Sequence, residues 1–328
     1  PANNDIDGDS TNDHYVLISD IAGSNTPDFG NSIFVDNNNV YVGGWGGGAN
    51  VQGFVVKLDK TNGSFVNTFG SSGVKTFQIF AGGLSIVQNI YVLNNDIYVG
   101  GYGFVPPNDS RIFLVKMDKT NGGIASSGFG NTQGDIDGVA GNESYTILND
   151  LANNTQNEQV NDLYVDATGK IYITGYAERT APDADAFVIR LNSNGLVDNT
   201  FGSSQGRDID GGGNDNYFLM DAIAGQTTKN DFANSFYINS TGIYLVGESD
   251  KTGSNNNFDV FLMKLNLSGQ VDTTFANNGK LLIGNIKTAN ANDFGLSVTI
   301  DTNGKIYITG DSVDVGGSNF EAYIIKVE

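Results

Sequence analysis

The sequence predicts an all-β fold, a five-bladed β-propeller with four-stranded blades whose last blade is closed by the N-terminal strand. The first observation is one short strand that recurs as VYVGG from Val40, IYVGG from Ile97, IYITG from Ile171, IYLVG from Ile243 and IYITG from Ile306. The second is the spacing of its tyrosines, which are 57, 74, 72 and 63 residues apart. The third is that the last repeat stops one strand short, as a ring closed by both chain ends requires.

Each repeat contains four short segments with strand-like alternation, separated by turn residues. In the first repeat they are SIFVD (32–36), VYVGG (40–44), FVVKLD (54–59) and the stretch 74–80, with the turn KTNG after the third. One face of each segment is apolar, as a sheet packed between other sheets requires.

The later repeats follow the same order. Their third segments are IFLVKMD, AFVIRLN, VFLMKLN and AYIIKVE, and the chain ends with the last of these. Residues 5–23 resemble the outer segments 135–151 and 208–225, so we expect Tyr15 to Ile21 to pair with AYIIKVE. This gives one domain, 1–328, with blades at about 32–80, 89–151, 162–223, 235–286 and 297–328 plus 15–21.

Composition excludes several classes of function. A formal net charge of −20 and a pI near 4.1 argue against nucleic acid and anionic membranes as partners. No apolar run approaches the ~20 residues of a membrane span. The chain has no cysteine and one histidine, His14, which excludes thiolate chemistry and disfavours a Ser-His-Asp triad. Because the chain starts at proline without a signal peptide, we expect a processed or excised segment.

The repeat pattern D-x-x-G-K-I-Y-I-T-G, followed by A-F-V-x-K/R-L-N and then T-F-G, resembles the SBBP-type and delta-type propeller repeats of bacterial proteins. The likeness is clearest in residues 160–202 and 290–328. It implies a propeller fold and an extracellular or cell-surface location in a bacterium, often beside other modules. It carries no catalytic residues, and the seven blades of the family name do not match the five repeats counted here.

The DIDG segments are candidate calcium sites. They place carboxylates at alternate positions, and tight acidic loops of this kind can direct several oxygens at one cation. The candidate ligands are Asp5, Asp7, Asp9, Asp135, Asp137, Asp208 and Asp210. None of the segments has a complete calcium loop, so the alternative is an acidic turn whose side chains accept local backbone hydrogen bonds.

The residue after each repeated glycine is a candidate ligand-binding position, because these loops leave a propeller at one end. The candidates are Trp45, Tyr102, Tyr176, Glu248 and Asp311. Aromatic rings beside Asn, Asp and Gly are typical of a sugar site. The alternative is that the rings pack between blades. A basic residue in every third strand is expected to be a solvent-side residue rather than part of an anion site; these residues are Lys57, Lys116, Arg190, Lys264 and Lys326.

These observations favour a non-catalytic extracellular binding module, directed to a glycan or a cell-surface protein, with no enzymatic activity, no nucleic-acid partner and no membrane insertion. A structural spacer or docking scaffold is the alternative. A glycoside hydrolase is the third hypothesis, since Glu248 and Asp311 supply two carboxylates at equivalent positions of adjacent blades. The near-identity of the repeats argues for symmetric binding, while the oligomeric state and the ligand stay open.

Overall fold

The computed structural model describes residues 2–4, 13–21, 26–47, 51–105, 109–139, 141–152, 157–180, 183–225, 229–251, 257–314, 317 and 319–327. Within these ranges all regular structure is β, and no helix is long and apolar enough to cross a membrane.

The described residues contain twenty-three strands. They are β1 (Ala2–Asn4), β2 (Asp13–Tyr15), β3 (Asp28–Val35), β4 (Asn39–Gly46), β5 (Gln52–Asp59), β6 (Val74–Phe77), β7 (Ile86–Leu93), β8 (Asp96–Val105), β9 (Asp109–Asp118), β10 (Thr132–Gly134), β11 (Glu143–Leu148), β12 (Glu158–Val165), β13 (Ile171–Thr180), β14 (Asp183–Leu191), β15 (Ser203–Arg207), β16 (Asp215–Met220), β17 (Asp231–Asn239), β18 (Gly242–Asp250), β19 (Phe258–Leu265), β20 (Lys280–Ile283), β21 (Asp293–Ile300), β22 (Ile306–Val313) and β23 (Phe320–Val327).

The strands form five blades, which confirms the predicted five-bladed β-propeller. Blade 1 has the order β3-β4-β5-β6 and blade 4 the order β17-β18-β19-β20. Blade 2 is β10-β11-β9-β8-β7 and blade 3 is β12-β13-β14-β16-β15, each with one extra strand beside its outer strand. Blade 5 has three strands, β21-β22-β23, in the described part of the chain.

The N-terminal segment is placed differently from the prediction. Tyr15 lies in β2, which pairs with β1 through Ala2, and residues 16–20 are not in a strand. Val16, Ile18 and Ile21 instead pack against the core of blade 1, which includes Phe54. The predicted pairing of Tyr15 to Ile21 with β23 is therefore wrong for these residues, because Tyr15 pairs with Ala2 and the partly buried side chains of Val16, Ile18 and Ile21 pack against blade 1.

The chain packs as two compact units. The first comprises Pro1–Ile147, Val165–Gly169 and Ser193–Gly195 and contains blades 1 and 2. The second comprises Leu148–Tyr164, Lys170–Asn192 and Leu196–Glu328 and contains most of blade 3 with blades 4 and 5. Each unit has its own buried apolar clusters. The assignment of residues 1–328 to one domain stays a prediction.

Neighbouring blades are joined by a repeated contact between a phenylalanine and a turn glycine. The ring of Phe201, in the T-F-G sequence of blade 3, is fully buried beneath the turn of blade 4. A Cβ on Gly269 would lie 2.6 Å from that ring, and the glycine has φ +79°. The backbone N–H of Gly202 donates to the carbonyl of Ser268 at 2.7 Å. The T-F-G and turn sequences are therefore complementary halves of one blade-to-blade contact.

The repeated basic residues lie over the repeated tyrosines. The cationic groups are 5.5–5.9 Å from the ring centroids in four blades, where the pairs are Lys57–Tyr41, Lys116–Tyr98, Arg190–Tyr172 and Lys264–Tyr244. Three of these cations also pair with a carboxylate within their own blade, Asp96, Asp198 or Asp272. Lys116, Arg190 and Lys264 agree with the expectation of packed solvent-side residues, since a paired cation over a ring stabilises the sheet locally, whereas Lys57 is buried.

A β-bulge recurs in the first strand of the blades and explains the invariable glycine of the repeated strand. In blade 4 the register shifts between Ala233 and Ser235. The carbonyl of Phe232 thereby approaches the neighbouring strand, and a Cβ on Gly247 would lie 1.8 Å from it. Only glycine tolerates so close an approach of another backbone.

In blades 1, 3 and 4 the residue at the bulge is an asparagine, whose side-chain amide joins its blade to the next one. Asn31 donates to the carbonyl of Val87 at 2.8 Å, and Asn161 donates to that of Ala233 at 3.0 Å. Asn234 donates in the same way to the carbonyl of Gly295 at 3.0 Å. The equivalent residue of blade 5 is Leu296, which is exposed. These amides satisfy carbonyls that the bulges remove from the sheet ladders.

Candidate functional site

The candidate site is built on the second strand of blades 4 and 5, just after the repeated glycine. Glu248 follows Gly247 in β18 and lies opposite Phe232 on one side and Val260 on the other. Asp311 occupies the equivalent position in β22, opposite Phe294. Both residues directly follow the repeated glycine and lie within a strand, so the site is formed by strand residues rather than by a loop.

Glu248 is a buried carboxyl group with a single described side-chain partner. Its side chain accepts a hydrogen bond from the Nδ2 amide of Asn234, the residue that also joins blades 4 and 5. Burial raises the pKa of Glu248 to about 8, although the bond from Asn234 acts in the opposite direction. Glu248 therefore holds its proton at neutral pH, when an ordinary glutamate has lost it.

Tyr323 connects Glu248 with the acidic residues of blade 5. Its hydroxyl donates to the carbonyl of Phe294 at 2.7 Å. Burial raises the pKa of Tyr323, and the negative charges of Asp293, Glu248 and Asp311 raise it further. Asp293 is fully buried and accepts a hydrogen bond from the hydroxyl of Ser312 at 2.5 Å. Three carboxyl groups therefore act on one tyrosine.

A continuous band of aromatic rings runs beside these groups. The aromatic band consists of Tyr176, Phe232, Phe258, Phe294 and Phe320. Successive ring centroids are 4.8, 6.1, 5.9 and 6.5 Å apart. Phe232 and Phe294 are the cross-strand neighbours of Glu248 and Asp311, so that each carboxyl group has a ring next to it.

The predicted aromatic residues differ in their surroundings. Tyr176 packs at nearly a right angle against Phe232 of the next blade and belongs to the aromatic band. Trp45 stacks on Phe29 of its own blade at 4.2 Å, and Tyr102 contacts Phe104 of its own strand at 6.1 Å. All three are half-buried. Their role in ligand binding stays a prediction.

Two of the predicted calcium segments form carboxylate clusters, whose members are Asp135, Asp137 and Glu143 in one and Asp208, Asp210 and Asp215 in the other. In each cluster one oxygen per residue lies within 4.8 Å of the others. The same residues accept local backbone hydrogen bonds, for example Asp208 from Gly211 at 2.6 Å and Asp210 from Val197 at 2.9 Å. Asp5, Asp7 and Asp9 lie outside the described residues. Calcium at these segments stays a prediction.

A third acidic cluster escaped the sequence analysis. Asp183, Asp185 and Asp221 surround Arg179 in blade 3, and Asp231 follows at the start of blade 4. Burial raises the pKa of Asp185 to about 6 and that of Asp231 to about 7. The signal in the sequence was the run DADAF, in which two acids alternate with alanines at the start of an otherwise apolar strand.

Tyr323 and Asn234 also escaped the sequence analysis. Tyr323 stands where the other repeats have a phenylalanine, and this single substitution was the available signal. Asn234 precedes the first strand segment of its repeat, as Asn31 and Asn161 do in theirs. The recurrence of that amide could have identified the bulge position.

Comparison with known families supports the propeller. Residues 167–201 and 242–275 match a family model described as "Domain of unknown function (DUF5122) beta-propeller". These two segments cover the second and third strands of blades 3 and 4 with the following turns. The chain thus resembles a β-propeller family in general. Among curated proteins nothing matches.

Three similar solved structures are arabinanases. They are a GH43 endo-arabinanase from Bacillus licheniformis (12% identity, TM-score 0.35, covering 90% of this chain and 92% of that one), an endo-arabinase from Bacteroides thetaiotaomicron VPI-5482 (12%, 0.40, 92% and 95%) and a native arabinanase from Bacillus subtilis (10%, 0.37, 90% and 93%). The prediction of a non-catalytic module without enzymatic activity is corrected by this finding, because the similar structures are those of enzymes. At these TM-scores no substrate and no residue role is carried over to this chain.

Proposed function

We propose that the protein is a glycoside hydrolase in which Glu248 is the proton donor and Asp311 the second carboxylate. The observation that carries the proposal is the buried position of Glu248, which raises its pKa to about 8, next to Phe232 of the aromatic band and to Tyr323, on which Asp311 also acts. Glycosidic bond cleavage requires one carboxylic acid that still holds its proton and one carboxylate that has lost it.

The proton passes from Glu248 to the glycosidic oxygen as the bond to the anomeric carbon breaks. The amide of Asn234 then stabilises the carboxylate that this step leaves behind, since its hydrogen bond favours the ionised form. A water molecule attacks the anomeric carbon, where positive charge develops in the transition state, and Asp311 accepts the proton of that water as the new C–O bond forms. Tyr323 holds the end of β21 in place through the carbonyl of Phe294.

The aromatic band supplies a surface for the sugar. Ring faces contact the C–H groups of a sugar, and the half-buried rings of Tyr176, Phe232 and Phe294 retain exposed area next to the two carboxyl groups. A glycan is therefore the proposed partner. The finer resemblance to SBBP-type or delta-type repeats, and the bacterial extracellular location that it implies, belong to this proposal.

The test is an assay of reducing-end release from a panel of polysaccharides, arabinan among them. The chain is compared with Glu248→Gln and Asp311→Asn, which keep the shape of each side chain but remove its acid function. Asp272→Asn serves as the control, because Asp272 is a turn residue paired with Lys264 on another part of blade 4. We expect release by the chain and the control and a loss of about 100-fold or more in both site variants. No release from any polysaccharide, or full activity in Glu248→Gln, would overturn the proposal.

A further inference from the structure

The third acidic cluster has a geometry that the other two lack. Asp183 and Asp185 alternate along β14 and therefore project from one face of the strand. Asp221 directly follows β16, whose Met220 pairs with Ala186 of β14, so it lies beside Asp185. One carboxylate oxygen of each of these three residues lies within 4.8 Å of the other two. The strand pairing thus assembles three acids from two segments of blade 3.

Arg179 neutralises only one side of this cluster. It lies 2.7 Å from Oδ2 of Asp185, 3.2 Å from Oδ2 of Asp221 and 3.8 Å from Oδ2 of Asp183. In the described part of the chain it is the one cation within 4 Å of the three acids. Lys229 acts electrostatically on Asp183 without forming an ion pair within that distance, so three formal negative charges face two formal positive charges, only one of which is in contact.

The Oδ1 atoms of all three acids are buried and have no hydrogen-bond partner among the described residues. Asp183 is 3% exposed and Asp185 is 0% exposed, so neither oxygen is hydrated from outside. Oδ1 of Asp231, which is 1% exposed, is also without a partner. Buried carboxylate oxygens without donors are costly, and a bound cation is one way in which proteins satisfy them.

We propose that Asp183, Asp185 and Asp221 bind a calcium ion through their clustered carboxylates, each of which has one oxygen without a hydrogen-bond partner in the described structure. An oxygen-only ligand set of several carboxylates suits calcium, which takes about six to eight oxygen ligands in flexible geometry. Magnesium requires a stricter octahedron and keeps more of its water. Asp231 stands close enough to both Asp185 and Asp221 to interact with them electrostatically and adds charge of the same sign. The ion would join β14 to the start of blade 4.

The predicted DIDG clusters differ in this respect. No oxygen of Asp208, Asp210 or Asp215 is buried without a partner in the described structure, since both oxygens of Asp210 and of Asp215 accept hydrogen bonds. Asp210→Asn therefore distinguishes calcium bound at the cluster around Arg179 from calcium bound at the DIDG segment of the same blade.

The experiment is calorimetric titration of the chelator-stripped chain, residues 1–328, with calcium chloride. We expect binding by the chain and by Asp210→Asn, and a loss of affinity of more than about tenfold in Asp183→Asn and Asp221→Asn, because even outer partners of a metal contribute that much. An asparagine at position 221 still accepts the hydrogen bond from Arg179. Circular dichroism verifies folding. If Asp183→Asn does not fold, Asp221→Asn decides, because the side chain of Asp221 is only partly buried.

Three results would contradict the proposal. The first is no calcium binding by the unmodified chain. The second is unchanged affinity and stoichiometry in a folded Asp183→Asn or Asp221→Asn. The third is an equal response of the unmodified chain to magnesium at the same concentration. A calcium-dependent rise in melting temperature that disappears in Asp183→Asn but not in Asp210→Asn supports it.

Discussion

Asn234 donates one hydrogen bond to Glu248 and another, at 3.0 Å, to the backbone carbonyl of Gly295. One side chain thus orients the proposed proton donor of blade 4 and joins that blade to blade 5. The amide stands at a β-bulge, where the sheet cannot satisfy these acceptors itself. The orientation of Glu248 and the packing of blades 4 and 5 therefore depend on the same residue.

The first prediction concerns this amide. Asn234→Leu gives the bulge of blade 4 the residue type that Leu296 provides in blade 5. The substitution removes the hydrogen-bond donor of Glu248 and of the carbonyl of Gly295. We expect a loss of about 1–3 kcal/mol in the free energy of unfolding, the usual cost of unsatisfied buried acceptors. Denaturant titration measures it.

The control for that prediction is the reverse exchange in blade 5. Leu296 is 45% exposed, and Leu296→Asn should change the free energy of unfolding by less than about 0.5 kcal/mol. Equal losses in the two variants would show that the bulge residue matters only through its size.

The second prediction concerns pH. The pKa of Glu248 is raised from 4.5 to about 8 in the folded protein. Between these values the native state binds a proton that the unfolded state has released, so stability falls as pH rises. Glu248→Gln cannot titrate and should lack this part of the decline, which is on the order of a few kcal/mol. Melting temperatures across this range measure it.

Two other acidic residues, Asp231 and Asp272, matter for reading that pH comparison. Burial also raises the pKa of Asp231, to about 7, so the unmodified chain and Glu248→Gln will both keep some decline, and the difference between them is the quantity to read. Asp272→Asn is the control, because hydrogen bonds from Thr274 and Lys264 lower the pKa of Asp272 to about 2. Identical pH curves for the chain and Glu248→Gln would contradict a raised pKa at Glu248.

The third prediction concerns the contact between T-F-G and the turn. Gly269→Ala forces a Cβ to within 2.6 Å of the Phe201 ring at a positive φ. Gly304, in the turn between the first and second strands of blade 5, has the same φ of +79° and nothing within 4 Å of its Cβ position, so it isolates the backbone strain. Gly304→Ala should cost about 1 kcal/mol from backbone strain alone, and Gly269→Ala about 1–3 kcal/mol more from overpacking. Equal unfolding energies would refute the blade-to-blade contact.

The fourth prediction concerns the N-terminal segment. Ile18 packs on the core of blade 1, whereas its neighbour Leu17 is 75% exposed. Ile18→Ala should therefore destabilise the protein by about 1–2 kcal/mol, less than a fully buried residue would. Leu17→Ala should stay within about 0.5 kcal/mol of the parent. Thermal unfolding of both variants decides, and the opposite ranking would place residues 16–21 elsewhere.

The sequence predicted the blades well because strand alternation and the repeated IYxxG are local signals. The glycine of that repeat could be recognised from sequence, but its cause, the carbonyl of Phe232 at 1.8 Å from a Cβ on Gly247, depends on a bulge in another strand. The fate of residues 15–21 could not be predicted, because an alternating apolar segment fits either a sheet edge or the surface of a core.

The site was predicted in part. Glu248 and Asp311 were identified by their repeat position, but the raised pKa of Glu248 depends on burial between strands that are distant in sequence. The near-identity of the repeats suggested symmetric binding, whereas single substitutions such as Tyr323 make one blade differ from the others. The acids around Arg179 come from separate strands, so only the pairing of Ala186 with Met220 reveals their proximity.

The most direct test of the central claim is the pH dependence of polysaccharide cleavage by the chain and by Glu248→Gln. If Glu248 is the proton donor, activity of the chain falls above a pH of about 8, where this carboxyl group loses its proton, and Glu248→Gln is inactive at every pH. Cleavage by Glu248→Gln with the pH profile of the parent, or no cleavage by the parent at any pH, would contradict the account.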